Sequence, residues 1–186
     1  MIGYALTGSF CTIKKSIQIL SELIERGYDV APIMSENLYN IDTRFGSCAE
    51  VIKKVEDICS RRVIHSIVDA EPLGPKIKLD ALVICPCTGN TLAKLANGIT
   101  DTAVCMSAKA HLRSNRPLVI ALATNDALSA NLKSIAMLLS RKNIYFTPMI
   151  QDDPEGKPHS LVADFDLVIP TLDCALHGKQ YQKIFV

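Results

Sequence analysis

The sequence lacks any imbalance of charge. It contains 20 lysine and arginine residues against 19 aspartate and glutamate residues, which gives a formal net charge of +1 at pH 7. No run of basic residues and no alternation of basic with aromatic residues is present, so we expect no nucleic-acid partner. A stretch of about 18 apolar residues, the length that crosses a bilayer, is also missing. We therefore expect no membrane partner.

Metal-binding and secretory signatures are missing as well. The seven cysteines are odd in number and irregularly spaced, one residue separates Cys85 from Cys87, and the four histidines are scattered. Neither a C-x-x-C pair nor a signal peptide is recognisable. We expect no metal site and mostly buried, reduced thiols in a cytoplasmic protein. Cys87 is either a structural lining residue or a reactive thiol, because it lies in a candidate ligand turn.

Apolar runs alternate with amphipathic segments along the chain. The runs predict strands at 2–6, 30–34, 63–68, 81–85, 117–123 and 143–147. Helical spacing follows at 13–24, 48–58 with Ser47 as cap, 92–97, 104–111 with Asp101 as cap, and 130–140. This α/β alternation predicts a three-layer, doubly wound parallel sheet. A length of 186 residues fits a single domain over 1–186.

The most informative segment is the turn between the apolar run at 81–84 and the helical pattern from Leu92. Ligands bind at the carboxyl ends of strands in such sheets. The free N–H groups at the helix start suit an anion or a ring carbonyl. Polar side chains add donors and acceptors, although N-capping alone would also explain them. The candidate residues are Pro86, Cys87, Thr88, Gly89, Asn90 and Thr91.

Two further turns follow strands in the same way. Gly8, Ser9 and Phe10 come after the first predicted strand, and Ser35 comes after the second. Neither the three glycines of a dinucleotide fingerprint nor a Gly-Lys-Ser/Thr sequence is present. A ligand with one phosphate is therefore favoured over a dinucleotide. Ser35 could contact that phosphate or serve as an ordinary cap.

The segment 149–160 interrupts the alternation, because it is polar and contains two prolines and a glycine. It predicts either a surface loop or a lid or arm that reaches a neighbouring subunit. A C-terminal helical segment is predicted over 161–180. We expect Ser160 to cap its helix and Pro170 to kink or break it.

The residues from Pro86 to Thr91, with the helical stretch 92–99 and Asp101, resemble the P-A-S-A-N-T region of the homo-oligomeric flavin-containing cysteine decarboxylase family. Members of that family are flavodoxin-like proteins that bind FMN. The resemblance implies that Gly8, Ser9 and Ser35 hold the phosphate. It also implies trimers or multiples of trimers, often with the flavin between subunits.

Two departures from the family pattern concern catalysis. The nearest histidine before the P-A-S-A-N-T-like turn is His65, about twenty residues before Cys85. The family's substrate clamp corresponds here to residues 122–129, in which only the asparagine is retained, and the resemblance adds Thr124 and Asn125 to the candidate cofactor-binding residues. Cysteine decarboxylation is therefore the weaker prediction, and flavin binding is the stronger one. The catalytic residues are not predicted.

Other stretches resemble the family members that act in making dipicolinate, the pyridine dicarboxylate of bacterial spores. They are 72–76, 124–128, 142–146, 151–163 and 178–180. This resemblance implies oxidation of a dihydro- or hydroxy-tetrahydro-dipicolinate from the lysine pathway, in the mother cell of a spore-forming bacterium. The expected partner is a nicotinamide-binding subunit, and NADP is expected only through it, since this chain has no dinucleotide fingerprint.

A non-catalytic role in assembly or stabilisation remains the alternative of a different class. For the oxidation itself, the two carboxylates of the substrate require basic groups. The sequence offers six candidates without choosing among them: Lys109, Arg113, Arg116, Lys133, Lys157 and His159.

Overall fold

The computed structural model describes residues 1–44, 46–74 and 76–186. Phe45, and Pro75 of the proline-rich loop 72–76, lie outside the described residues. The strands are β1 (Ile2–Leu6), β2 (Val30–Met34), β3 (Ala81–Cys87), β4 (Leu118–Thr124), β5 (Ile144–Phe146), β6 (Met149–Ile150) and β7 (Leu161–Ala163). The α-helices are α1 (Ile13–Glu25), α2 (Glu36–Asn40), α3 (Cys48–Cys59), α4 (Ile67–Ala70), α5 (Gly89–Asn97), α6 (Ala103–Leu112), α7 (Leu132–Leu139) and α8 (Val168–Leu176).

A parallel sheet in the order β2-β1-β3-β4-β5 forms the centre of the domain. β7 and β6 extend it beyond the end of β4 as an antiparallel pair. The predicted doubly wound, flavodoxin-like fold is confirmed. No helix in the described part of the chain is both long and apolar enough to cross a bilayer.

Two hydrophobic cores lie on the two faces of the sheet. Alternate residues of β3 point to opposite faces, so that Leu82 and Ile84 join one core while Val83 and Cys85 join the other. Helices α4 to α7 cover the first face, and α1, α3 and α8 cover the second. β3 is buried along its whole length, as expected of a parallel strand covered on both sides.

Residues 63–68 do not form the predicted strand. Only Ile64 pairs, through one parallel bridge to Ile33 at the edge of the sheet. The chain then turns into α4, because the Ser66 hydroxyl accepts a hydrogen bond from the Asp69 N–H and caps that helix. Local capping therefore limits this apolar run to a single bridge.

The predicted helix from Leu161 is also wrong. Residues Leu161–Ala163 form β7 between β4 and β6, because pairing with both neighbours satisfies their backbone groups. Ser160 donates to the Asp152 carboxylate instead of capping a helix. The helix begins at Val168, so Pro170 lies in its first turn, where a proline needs no hydrogen-bond donor and causes no kink.

The tail that follows α8 contacts the backbones of β5 and β6. The Gln180 side chain accepts a hydrogen bond from the Phe146 N–H and donates one to the Phe146 carbonyl. Phe185 forms a bridge with Met149 of β6. These contacts occupy backbone groups that edge strands would otherwise leave open.

Candidate functional site

The strand order reverses between β1 and β3. From β1 the chain passes outward to β2, and it then returns to β3 on the other side of β1. Such a switch point opens a crevice outside the carboxyl ends of the two strands, and ligands of doubly wound proteins bind there. The turns after β1 and β3, which the sequence singled out, both lie at this crevice.

The Thr7 side chain joins these two turns. Its hydroxyl donates a hydrogen bond to the Pro86 carbonyl at 2.7 Å and accepts one from the Thr88 N–H at 3.0 Å. Thr7 is 1% exposed and Pro86 is buried, so the Pro86 carbonyl has no water as a ready substitute. A single buried hydroxyl thus links the two turns that form the walls of the crevice.

A cavity of about 430 Å³ lies at this edge of the sheet, within the usual range of roughly 300–1,000 Å³ for small-molecule sites. Three helices begin at its wall. Their N-caps are Ser35 for α2, Thr88 for α5 and Thr102 for α6. The cavity is lined by Gly8, Ser35, Glu36, Asn37, Thr88, Asn90, Thr91, Lys94, Asp101 and Thr102.

Several helix N-termini at one cavity favour a negatively charged ligand, because each carries unpaired N–H groups and the positive end of a helix dipole. The Thr88 hydroxyl accepts from the Thr91 N–H at 3.3 Å and donates to the Thr91 hydroxyl at 3.1 Å. These contacts fix both threonine side chains at the start of α5.

The charged side chains of the cavity are engaged with protein partners. Lys94 contacts both oxygens of the Asp101 carboxylate at 2.8 Å. This hydrogen-bonded ammonium group lowers the pKa of Asp101. The Glu36 carboxylate accepts from the Ala103 N–H at 3.0 Å and thereby stabilises the start of α6. Asp101, the predicted cap of α6, pairs with Lys94 instead, and Thr102 caps the helix because its hydroxyl reaches the Cys105 N–H.

The structure brings five of the predicted residues together on the cavity wall: Gly8, Ser35, Thr88, Asn90 and Thr91. Phe10 lies beside Gly8, and a Cβ atom at position 8 would be 3.3 Å from its ring and 3.7 Å from Asn37. The Ser9 carbonyl accepts from the Thr12 N–H and hydroxyl, which closes the turn. Ser9 and Phe10 therefore shape the first turn, and Phe10 also faces a second cavity between α1 and α3.

Gly89 brings the end of β4 against the start of α5. A Cβ atom at position 89 would lie 2.5 Å from the Thr124 hydroxyl and 2.8 Å from the Asp126 carboxylate. That carboxylate accepts hydrogen bonds from Thr124 and Asn131. Only glycine permits this contact. Thr124 is thus held beside the turn after β3 through Asp126, whereas Asn125 is exposed.

Cys87 is a buried residue at the end of β3. Burial raises the pKa of its thiol well above the ordinary value, and the nearby thiols of Cys105 and Cys85 raise it further. A thiol reacts as the thiolate, so this environment suppresses nucleophilic chemistry. Of the two roles open from sequence, the geometry favours the structural one.

The six candidate basic residues lie at both edges of the sheet. Lys109, Arg113 and Arg116 lie at the end of α6 or just before β4, and therefore at the amino edge, away from the cavity. Lys133 is in the first turn of α7. Because β7 runs antiparallel to β4, with Leu161 opposite Thr124, the loop 151–160 emerges at the carboxyl edge. It carries Lys157 and His159.

This loop is braced by its own side chains. Asp152 accepts from Ser160 at 2.9 Å and from Lys157 at 3.2 Å, and the His159 carbonyl accepts from the Leu128 N–H at 2.9 Å. The Asp152 ion pair raises the pKa of Lys157. The loop is thus connected to the segment after β4, next to the crevice.

Sequence reasoning missed several contributors to the site. Thr7 was not among the candidate residues, Lys94 stood only within a predicted helix, and Asp101 was predicted as a helix cap. Their roles depend on pairs 7 and 81 residues apart in sequence, which no local pattern reveals. Glu36 and Asn37 had one usable signal, since they directly follow Ser35 at a strand end.

The sequence matches a known protein family and its members. Residues 1–168 match the family model described as Flavoprotein, and the chain belongs to that family. Over its full length it is 49% identical to the B subunit of dipicolinate synthase from Bacillus subtilis (strain 168), of which it covers 92%.

Two solved structures share the fold of this chain. The crystal structure of the dipicolinate synthase B subunit from Bacillus halodurans superposes with a TM-score of 0.91 and 43% identity, covering 100% of this chain and 95% of that one. The FMN-dependent cysteine decarboxylase SpaF shares the fold at a TM-score of 0.68 and 21% identity, covering 95% and 94%. The chain is thus a flavoprotein-family homologue of the B subunit of dipicolinate synthase.

We predict that Thr7→Val destabilises the domain while Thr7→Ser does not. Valine keeps the shape but leaves the buried Pro86 carbonyl without its partner, at about 1–3 kcal/mol, and it also removes the acceptor of the Thr88 N–H. Urea unfolding measures the difference. Equal free energies of unfolding for the two variants would contradict a linking role for the Thr7 hydroxyl.

Proposed function

We propose that the chain binds FMN at the crevice between β1 and β3 and acts as the B subunit of a dipicolinate synthase. The observation that carries this proposal is the cavity at the switch point, at which three capped helices begin. Full-length similarity to the B subunit of dipicolinate synthase supports the choice of pathway.

The phosphate is assigned to the turn Gly8-Ser9-Phe10, with Ser35 supplying a hydroxyl. The turn fits such a group because glycine leaves backbone exposed at the cavity wall, where a Cβ atom would point toward Phe10 and Asn37. Ser35 lines the same cavity from the end of β2. Helix N-termini stabilise the negative charge.

The ring system and the ribityl chain are assigned to the turn after β3. Thr88, Asn90 and Thr91 offer hydrogen-bond donors and acceptors at the wall. Pro86 and Cys87, predicted in the turn, are the buried last residues of β3, and they and the buried Gly89 shape the backbone behind this wall. Thr124 lies beside Gly89 at the end of β4, and the exposed Asn125 that follows it is assigned as a further contact. Bound FMN supplies a two-electron acceptor.

The substrate is assigned as a dihydro- or hydroxy-tetrahydro-dipicolinate. Loss of water converts the hydroxy form into the dihydro form, and removal of two electrons and two protons then gives the aromatic pyridine ring. This chain has no dinucleotide fingerprint, so the A subunit of dipicolinate synthase is proposed to bind NADP. We place the reaction in the cytoplasm of a sporulating cell, with this chain in a homo-oligomer of three subunits or a multiple of three.

A non-catalytic stabilising subunit is the second candidate, and one observation favours it. Among the described residues that line the cavity, none is a histidine, and both Lys94 and Glu36 are engaged with protein partners. His65 stacks on Tyr39 with ring centroids 3.8 Å apart. Among the described charged and histidine side chains, none at this cavity is therefore free to exchange a proton with a ligand. If this chain only stabilises its partner, the partner subunit should be active alone.

The phosphate assignment predicts that Gly8→Val removes the preference for FMN over riboflavin. Wild type should bind FMN at least about tenfold more tightly, since a hydrogen bond to a charged group contributes about 1.5–3 kcal/mol. Titration of flavin fluorescence with both compounds measures the preference, and circular dichroism checks the fold. A folded variant that still prefers FMN would place the phosphate elsewhere.

The ring assignment predicts that Asn90→Ala weakens FMN binding severalfold, because a lost hydrogen bond costs about 0.5–1.5 kcal/mol. Asn97→Ala is the matched control. Asn97 lies on the same helix but donates to the Ala93 carbonyl and does not line the cavity. Equal FMN affinities for the two variants would exclude Asn90 from the site.

The loop 151–160 is proposed as part of a lid or of the contact with the A subunit. Deletion of 153–158 should preserve the thermal melting curve, because these residues contribute nothing to either core. It should lower dipicolinate formation when the two purified subunits are mixed. A deletion variant with full activity and normal co-purification would leave the loop as a surface connection.

A further inference from the structure

A second polar cavity lies at the opposite edge of the sheet from the candidate flavin site. It measures about 290 Å³ and is lined by Gly74, Lys78, Leu79, His111, Ser114 and Arg116. Leu79 precedes β3 and Arg116 precedes β4, so the cavity opens at the amino ends of these strands. None of the residues assigned to flavin binding contributes to it.

Positive charge exceeds negative charge at this cavity. Lys78 and Arg116 are both at its wall, and Asp80 is the carboxylate near them, 3.6 Å from the Arg116 guanidinium. Arg116 also donates to the Leu79 carbonyl, which fixes its side chain at the wall. Lys78 is exposed and has no hydrogen bond or ion pair with the residues that the structure describes. At least one cation is therefore available to a ligand.

The cavity also contains a buried histidine. His111 is 1% exposed, and its Nε2 lies 2.9 Å from the Pro117 carbonyl. A carbonyl only accepts hydrogen bonds, so Nε2 carries the proton and Nδ1 of the neutral ring has a free lone pair. Across the described residues, Nδ1 has no protein partner. Burial lowers the pKa of His111, with Arg116 lowering it further and Asp80 opposing the change.

We propose that this cavity binds a small oxyanion, a carboxylate or a phosphate, between Lys78, Arg116 and the imidazole of His111. Ser114 adds a hydroxyl at the same wall. A bound anion would favour the protonated ring, because Nδ1 then donates to the anion while Nε2 continues to donate to Pro117. Binding is consequently coupled to uptake of one proton, and affinity increases as the pH falls.

The test is a nuclear magnetic resonance titration of the full chain with sodium acetate and, separately, sodium phosphate at constant ionic strength. We expect saturable shifts of the Lys78, Ser114 and His111 signals with one or both anions. The anion that binds with the higher affinity shows whether the cavity prefers a carboxylate or a phosphate. Phosphate bound at the candidate flavin site would shift Gly8 and Ser35 instead, so the two sites are distinguished. Shifts that do not saturate would overturn the proposal.

Lys78→Ala should weaken the binding by about two- to fivefold, the range of an exposed ion pair. Lys109→Ala is the matched control, because Lys109 is an exposed lysine of α6 that does not line the cavity. Acetate keeps its charge between pH 6 and pH 8, so its affinity should increase toward pH 6 in wild type. His111→Gln, which can still donate to Pro117, should abolish that increase. Equal affinities of the two lysine variants, or an unchanged pH profile in His111→Gln, would contradict the assignment.

Discussion

The candidate site depends on one buried hydroxyl. Thr7 lies at the end of β1 and holds both the carbonyl of Pro86 and the N–H of Thr88 at the end of β3. The strand order reverses between these two strands, so this link lies at the switch point where the crevice opens. Thr88, whose N–H Thr7 accepts, caps α5 with its own hydroxyl and forms the polar wall together with Thr91.

Local patterns predicted the elements that build the crevice, because each strand-turn-helix unit is encoded by adjacent residues. The turns at Gly8 and Thr88 and the cap at Ser35 were found in this way. Contacts between distant segments were not predictable, since the Lys94–Asp101 pair and the approach of Asp126 to Gly89 depend on how helices pack. The strand at 161–163 was missed for the same reason: its partners are β4 and β6, not its sequence neighbours.

The two edges of the sheet provide different chemistry. At the carboxyl edge, helix N-termini and hydroxyl groups surround a cavity whose charged residues already pair within the protein. At the amino edge, Lys78 and Arg116 leave positive charge beside a neutral, buried His111. The first arrangement suits an uncharged ring with one phosphate, and the second suits a small anion whose binding is linked to a proton. Similarity to the dipicolinate synthase B subunit extends over the full chain.

A crystal structure of the chain grown with FMN tests the central claim most directly. The account predicts density for one flavin per chain at the crevice between β1 and β3. The phosphate should lie within hydrogen-bond distance of the turn at Gly8 and of the Ser35 hydroxyl, and the ring should contact the turn that begins at Thr88. Flavin density elsewhere on the chain, or none at saturating FMN, would contradict the account.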